Sequence, residues 1–285
     1  MIVVTGATGA LNGATVHHLL DRVPAEQVAV VTRDPAKAAR FAARDVEVRH
    51  GDYAQPATLP DAFADADQLL LVSSNDPNAD AVTLHRAAIA AAVDAGVGRI
   101  LYTSHQGAHP DSPFAPARVH AATEQALAAA GTPWTALRNG FYLHSIAWLL
   151  GSWQETGAIT VPGDGPVSWT SRDDAAQAAA VILASDGGYE GPVTLTAAAA
   201  PTFAEVADTA AEVTGRTVTL EVQEPEAWVA AQVAAGRPEP VARFTLGMYL
   251  AARDGFFAGT DPLLTELLGR EPRTVRDELL EPTGH

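Results

Sequence analysis

The stretch Thr5-Gly6-Ala7-Thr8-Gly9-Ala10-Leu11-Asn12-Gly13 carries the chain's best-defined chemistry. Backbone N–H groups at a helix N-terminus can hold a diphosphate only where the chain passes within van der Waals reach of it, and side chains at positions 6 and 9 would prevent that approach. Thr5, Gly6, Thr8, Gly9, Ala10 and Leu11 are therefore expected to bind a dinucleotide. A β-branched run at 2–4 precedes the turn, and Ala14, Val16, Leu19, Leu20 and Val23 follow it at helical spacing, which is the context such a turn requires. Asn12 stands where the third glycine of the usual repeat falls, with Gly13 beside it, so close packing of helix on strand is expected one position late.

Further candidates lie where later apolar runs end. In Thr32-Arg33-Asp34-Pro35-Ala36-Lys37, Arg33 suits the 2′-phosphate of NADP(H) through charge-assisted bonding, and Lys37 adds a second cation. Asp34 either accepts from a ribose hydroxyl, which would suit NAD(H), or caps the helix expected at Pro35. Asp52 is placed to accept from the adenine amino group and Tyr53 to border the base. Ser73, Ser74 and Asn75 are small polar residues suited to the ribose and nicotinamide side of a cleft. Tyr102-Thr103-Ser104-His105 falls where a dehydrogenase places its catalytic hydroxyl, so Tyr102 is a candidate acid and Thr103 and Ser104 candidate cofactor contacts.

His120 and Glu124 are one helical turn apart and can share a face. A histidine there could donate to a ribose or a substrate oxygen, with a pKa near neutrality aiding proton delivery, or it could simply pair with Glu124. Asn139 offers an amide beside the expected nicotinamide, and Phe141, Tyr142, Trp148 and Trp169 offer a flat apolar wall for substrate, although aromatics in such positions are core as often as ligand-binding. His105, His109, Asp111 and His120 are close in sequence, but Gly107 and Pro110 make this a loop whose spacing does not ensure convergence, so no metal is expected. There is no G-x-S-x-G elbow for serine hydrolysis.

The elements that must position these residues alternate. Strands are expected at 2–5, 28–32, 46–49, 68–73, 99–103 and 134–137, with helices at 14–22, 35–43, 80–95 and 116–130. That rhythm predicts an α/β fold: a Rossmann-type doubly wound parallel sheet whose ligand lies across the carboxyl ends of the strands. A first domain is expected over 1–140, with a helix near 173–185 returning to it. A smaller α+β lobe over 141–285 follows, with a helix near 144–154, a Gly/Pro turn at 162–166, a strand at 217–222, and capping boxes at Ser171/Asp174 and Thr202/Glu205.

The 285 residues are 47% hydrophobic, enough for cores without staples. The absence of cysteine excludes disulfides and thiolate chemistry. A net charge of −16 opposes binding to nucleic acids or anionic membranes. No apolar run reaches membrane-spanning length, and the first strand begins too early for a signal peptide, so a cytoplasmic protein is expected. Lys37 is the sole lysine, so the Tyr-x-x-x-Lys pair of ordinary short-chain dehydrogenases cannot operate. The apolar C-terminal lobe has two expected uses, covering the cleft or pairing two chains as a homodimer.

Together these motifs, in order and spacing, resemble the NmrA-like branch of the atypical short-chain dehydrogenases, and within it the type 2 NAD(P)H:quinone oxidoreductases. The resemblance spans nearly the whole chain and is sharpest up to about residue 180. It implies that Gly6 and Gly9 hold diphosphate, that Arg33 meets the 2′-phosphate, and that His120 stands where related reductases carry a catalytic Lys or His. Asn12 departs from the family glycine, a change expected to bear on cofactor affinity more than on fold. The expected activity is hydride transfer from NADPH to a quinone or similar flat conjugated carbonyl, with His120 or Tyr102 donating to the developing oxyanion and Asn139 placing the nicotinamide. The alternatives are a tailoring step on an aromatic polyketide and non-catalytic sensing of NADP(H).

Overall fold

The computed structural model describes residues 1–74, 76, 79–185 and 187–280, so the expectation for Asn75 lies outside the described residues. The first half runs β1 (Ile2–Thr5), α1 (Ala10–Leu19), β2 (Val28–Thr32), α2 (Ala39–Ala42), β3 (Glu47–His50), α3 (Leu59–Phe63), β4 (Gln68–Leu71), α4 (Ala81–Asp94), β5 (Arg99–His105), α5 (Ala115–Ala128) and β6 (Trp134–Asn139). There follow β7 (Phe141–Tyr142), α6 (Ile146–Leu149), α7 (Trp153–Thr156), β8 (Ala158–Val161), β9 (Trp169–Thr170), α8 (Arg172–Ala184) and β10 (Gly191–Leu195). The chain closes with α9 (Phe203–Thr214), β11 (Thr219–Val222), α10 (Pro225–Ala234), α11 (Glu239–Arg253), α12 (Leu263–Leu268) and α13 (Val275–Leu280).

Seven strands form one sheet in the order β10-β6-β5-β4-β1-β2-β3. β1 pairs with β2 and β4, β2 with β3, and β4 with β5, all in parallel. Strand order reverses between β1 and β4, the point at which a doubly wound sheet opens a crevice at its carboxyl edge. β1, β2 and the last three residues of β4 are buried, as β-branched and leucine-rich strands covered on both faces must be. On α4 the buried residues His85, Ala88, Ile89 and Ala92 repeat at i, i+3, i+4 and i+7, and Asp80 caps the helix by accepting from Val82 N.

Two compact units emerge. The first comprises Met1–His105, Val119–Arg138 and Arg172–Val193, and the second Gln106–Arg118, Asn139–Ser171 and Thr194–His285. The helix expected near 173–185 is α8, and the largest set of its neighbours is on α1. The division is not a single cut near 140, because the chain passes between the units more than once, and Gln106–Arg118 groups with the second. The first unit has an apolar core around Val3, Phe63, Leu69, Ile100 and Tyr102. The second packs Phe141, Trp153, Trp169, Phe203, Trp228 and Tyr249 into its own core, flanked by the small parallel pairs β11–β8 and β7–β9.

Three expectations change in the details. The helix expected at 35–43 is a 3₁₀ turn, Pro35–Ala38, followed by the single turn of α2. The helix expected at 144–154 breaks into short pieces because Gly151 turns left-handed at φ 63° between them. The seventh strand, β10, opens on Gly191-Pro192 and is half-exposed, so it lacks the alternation that would have announced it. By contrast, the Thr202/Glu205 capping box is present in full, with both reciprocal hydrogen bonds.

Candidate active site

Between β1 and α1 the backbone turns through Gly6 at φ 63°, where an added Cβ would stand 2.6 Å from Val72 Cγ1. Gly6 N donates to Val31 O at 3.2 Å and Gly9 N to Gly6 O at 2.9 Å, which fixes the loop. Gly9 is the N-cap of α1 with no side chain to cap it and no acidic residue in the first turn. Thr8, Gly9 and Ala10 are exposed, with Leu11 half-buried, so the helix presents free backbone donors and the positive end of its dipole to solvent. This is the cradle a diphosphate requires, and the residues present fit one. The late third glycine takes the expected role: a Cβ at Gly13 would meet Ala7 O at 2.8 Å. Asn12, buried at 1% exposure, donates through Nδ2 to Thr5 O at 2.8 Å, so this departure from glycine braces the turn from below.

At the end of β2, Asp34 Oδ1 accepts from Ala36 N at 3.2 Å and caps the Pro35–Ala38 turn, the second of its two expected roles. Lys37 lies 3.9 Å from the same carboxylate. Arg33 is exposed and makes no hydrogen bond or ion pair among the described residues. Arg40, which sequence reasoning passed over, donates to Ala7 O at 3.1 Å and so joins α2 to the glycine turn. Asp52 closes its own turn by accepting from Ala54 N at 3.0 Å. The Tyr53 hydroxyl is held by Thr5 Oγ1 at 2.7 Å and Val72 O at 3.3 Å, and its burial pushes its pKa up.

The ends of β4 and β5 meet α4 and α5 in one polar cluster. Ser73 N donates to Thr103 Oγ1 at 2.8 Å, and Ser74 N to His85 Nε2 at 2.7 Å. His85 Nδ1 lies 2.8 Å from Thr123 Oγ1, and the Tyr102 hydroxyl 2.9 Å from His120 Nδ1. The rings of His105 and His120 stack with centroids 6.1 Å apart. The phenol and His120 Nδ1 share this one bond, and the proton of a neutral His120 ring sits on Nε2 when the phenol is the donor.

Several expectations change here. Tyr102 is fully buried and burial pushes its pKa up to about 12, so its phenol stays protonated beside His120. His120 does not pair with Glu124. Burial, with His105 and His85 beside it, holds its pKa well below the ordinary 6.5, so its neutral ring is a hydrogen-bond donor and not the near-neutral acid expected from the sequence. Burial also lowers His105 to about 4. Thr103 and Ser104 are buried with their hydroxyls engaged, Thr103 by Ser73 N and Ser104 by donation to Glu124 Oε1 at 2.6 Å. Glu124 in turn takes a fork from Arg138, Nε to Oε1 at 2.9 Å and Nη2 to Oε2 at 2.5 Å. His85, Arg40 and the pairing of Glu124 with Arg138 are what sequence reasoning missed. Only His85 left a trace, as the one polar residue in the buried stripe of α4.

In the second unit, Asn139 is 3% exposed, with Nδ2 3.4 Å from the Tyr142 hydroxyl and Oδ1 lacking a partner. Tyr142 is half-buried and stacks on His144 at 5.9 Å. Phe141 and Trp169 are core, with ring centroids 5.6 Å apart and Trp169 packed on Phe203, so they wall no open pocket. Trp148 is 43% exposed. Among the described residues no group of three or more His, Asp or Glu side chains could hold a metal, and no helix is long and apolar enough to cross a membrane.

Comparison with known proteins gives these features a family. The chain is 34% identical to quinone oxidoreductase 2 of Escherichia coli over 282 residues, covering 98% of this chain and 97% of that one. The crystal structure of that NADPH-dependent enzyme complexed with NADPH superposes with a TM-score of 0.90 at 33% identity, covering 98% of each chain. It is 32% identical to the NAD(P)H azoreductase of Xenophilus azovorans, covering 97% and 96% of the two chains. The Citrobacter sp. triphenylmethane reductase complexed with NADP(H) superposes with a TM-score of 0.86 at 36% identity, covering 98% of each chain. The family profile described as NmrA-like matches residues 1–250, and the chain belongs to the NmrA-like family.

Proposed function

We propose that this chain is an NAD(P)H-dependent oxidoreductase, preferring NADPH, that reduces a quinone or a similarly flat conjugated acceptor. The observation that carries this reading is the neutral, Tyr102-held His120 at the end of a sheet whose first turn is an uncapped glycine cradle. The hydride comes from the reduced nicotinamide when the cofactor is bound. Gly6, Gly9 and the first turn of α1 hold the diphosphate, Arg33 meets the 2′-phosphate, and Ser73 and Ser74 border the ribose and nicotinamide. Asn139, whose buried Oδ1 lacks a partner, keeps an acceptor for an amide N–H such as that of the carboxamide.

His120 offers its Nε2–H to the acceptor atom on which negative charge develops. A neutral imidazole is a weak acid, and no lysine is near to assist. That suits an acceptor whose reduced form spreads its charge over a conjugated ring and needs a hydrogen bond more than a prompt proton. It serves an isolated ketone poorly. The relatives named as quinone, azo and triphenylmethane reductases carry the names of conjugated acceptors, in keeping with this choice. Tyr142 and Trp148 are among the accessible aromatics of the second unit.

The test mixes purified protein and NADPH with a benzoquinone, a naphthoquinone, an azo dye and a triphenylmethane dye, and follows nicotinamide absorbance. Consumption with at least one quinone and none with a simple aliphatic ketone is expected. Binding of NADPH without consumption on any acceptor would make the chain a sensor and end the proposal.

A further inference from the structure

His85 is fully buried, yet both of its ring nitrogens are engaged by other elements of the first unit. A backbone N–H can only donate, so the 2.7 Å contact with Ser74 N makes Nε2 the bare nitrogen. The ring proton then sits on Nδ1 and goes to Thr123 Oγ1 at 2.8 Å, whose own proton goes to Val119 O at 2.9 Å. One tautomer satisfies every partner. Ser73 N is meanwhile taken by Thr103 Oγ1. Two successive amides beyond β4 are thus held by side chains, one from β5 and one from α4.

Filling this position in the stripe of α4 needs only an apolar side chain, because its neighbours Ala88, Ile89 and Ala92 are apolar. A buried imidazole costs desolvation that leucine would avoid, and what it returns is a specific acceptor for one amide. Thr123 lies on α5 three residues beyond His120, so the same ring joins the β4 exit to the helix that carries His120. Asp80 is spent capping Val82 and Thr83. Its charge still acts on His85 against the effect of burial; Tyr102, at 5.5 Å between ring centroids, and His120 are the other titratable groups facing the ring, and among the described residues no charged group hydrogen-bonds it.

We propose that His85 is a positioning residue for cofactor binding: it sets the Ser73–Ser74 backbone in the arrangement that borders the ribose and nicotinamide, and ties that backbone to the His120 helix. This rests on the assignment of Ser73 and Ser74 to the cofactor under Proposed function.

Three replacements separate this role from packing. His85→Gln carries an amide oxygen to the reach of Nε2 and keeps an acceptor for Ser74 N. His85→Asn carries a polar group only to the reach of Nδ1, and His85→Leu supplies neither. NADPH affinity by calorimetry, KM for NADPH and for one naphthoquinone, kcat, and Tm are measured for each. Leu and Asn are expected to weaken NADPH binding about tenfold, the effect of stranding one half-buried amide, with quinone KM little changed. Gln is expected to restore affinity to near wild type even where its Tm stays lowered. Equal NADPH affinity across wild type, Asn and Leu would overturn the proposal, as would Gln binding no better than Leu. Should Leu fail to fold, the Asn and Gln pair gives the same decision. Absence of NADPH binding by the wild type would instead defeat the cofactor assignment itself, so the two failures are distinguishable.

Discussion

The polar cluster at the ends of β4 and β5 and the aromatic core of the second unit are both buried, but they are specified in different ways. In the cluster, Thr103, Ser104, His85, Thr123, Glu124 and Arg138 each have a hydrogen-bond partner at 2.5–2.8 Å, so every identity is fixed by its neighbour's valence. In the core, Phe141, Trp169, Phe203 and Tyr249 meet at ring centroids 5.1–5.8 Å apart through contacts without a fixed donor or acceptor. Directional contacts therefore place chemistry, whereas the aromatic contacts supply volume. An aromatic residue in this family tells its reader little about function until its burial is known.

Trp169 offers the sharpest way to break that contrast. As core, Trp169→Ala should cost about 4 kcal/mol, the usual loss for a large buried aromatic, while the protein that remains folded binds NADPH as before. Urea unfolding and calorimetry check the two halves. An unchanged urea midpoint combined with a raised quinone KM would return Trp169 to the substrate wall. Glu124→Ala tests the other side. It strands Arg138, whose side chain is 28% exposed, and removes the acceptor of Ser104, so about 3 kcal/mol should be lost in the same unfolding experiment. Glu124→Gln, which keeps an acceptor oxygen, should lose less.

How much of this could be read from the sequence follows the same division. The glycine turn, the alternation of strands and helices that makes a doubly wound sheet, and the Thr202 capping box depend on local residue types and were legible. Asp34 was open between two roles, and the capping role became visible only in the 3.2 Å contact with Ala36 N. Tyr102 and His120 were found by position, but their acidity was misjudged because a pKa depends on burial and on His105 and His85, which are brought there by the fold. Glu124 and Arg138 are fourteen residues apart on different elements, and nothing local links them. Phe141 and Trp169 have the composition of a substrate wall and of a core alike, and burial alone separates the two.

The histidines predict a pH dependence whose sign follows from burial. Desolvation lowers His85 from the ordinary 6.5 to about 4. As pH falls from 6.5 toward 4, the unfolded chain takes up a proton that the folded chain refuses, so stability is complete above 6.5 and is lost on acidification through that window. Between about pH 7 and about pH 5 the loss from this one group should be about 2 kcal/mol. His105 and His120 act in the same direction. Urea midpoints against pH for wild type and His85→Gln measure it, and the Gln variant should show a shallower fall. Parallel curves would mean that His85 titrates normally and that the cluster is wetter than its hydrogen bonds imply.

Arg33 gives the smallest effect and the narrowest test, because it is exposed and makes no hydrogen bond or ion pair among the described residues. Its replacement should leave stability within about 0.5 kcal/mol, as surface substitutions do. If its guanidinium meets the 2′-phosphate in solvent, Arg33→Ser should weaken NADPH about tenfold, in the range of one exposed charge-assisted contact, and leave NADH unchanged. The ratio of the two affinities is the measurement, since it cancels any general damage to the glycine turn. Rising salt should narrow the wild-type preference and spare the variant, because screening acts on the charge that the variant lacks. A ratio unmoved by Arg33→Ser would shift discrimination to Lys37 or Arg40, the neighbouring cations on the same side of the turn, and Arg40 already touches that turn through Ala7 O.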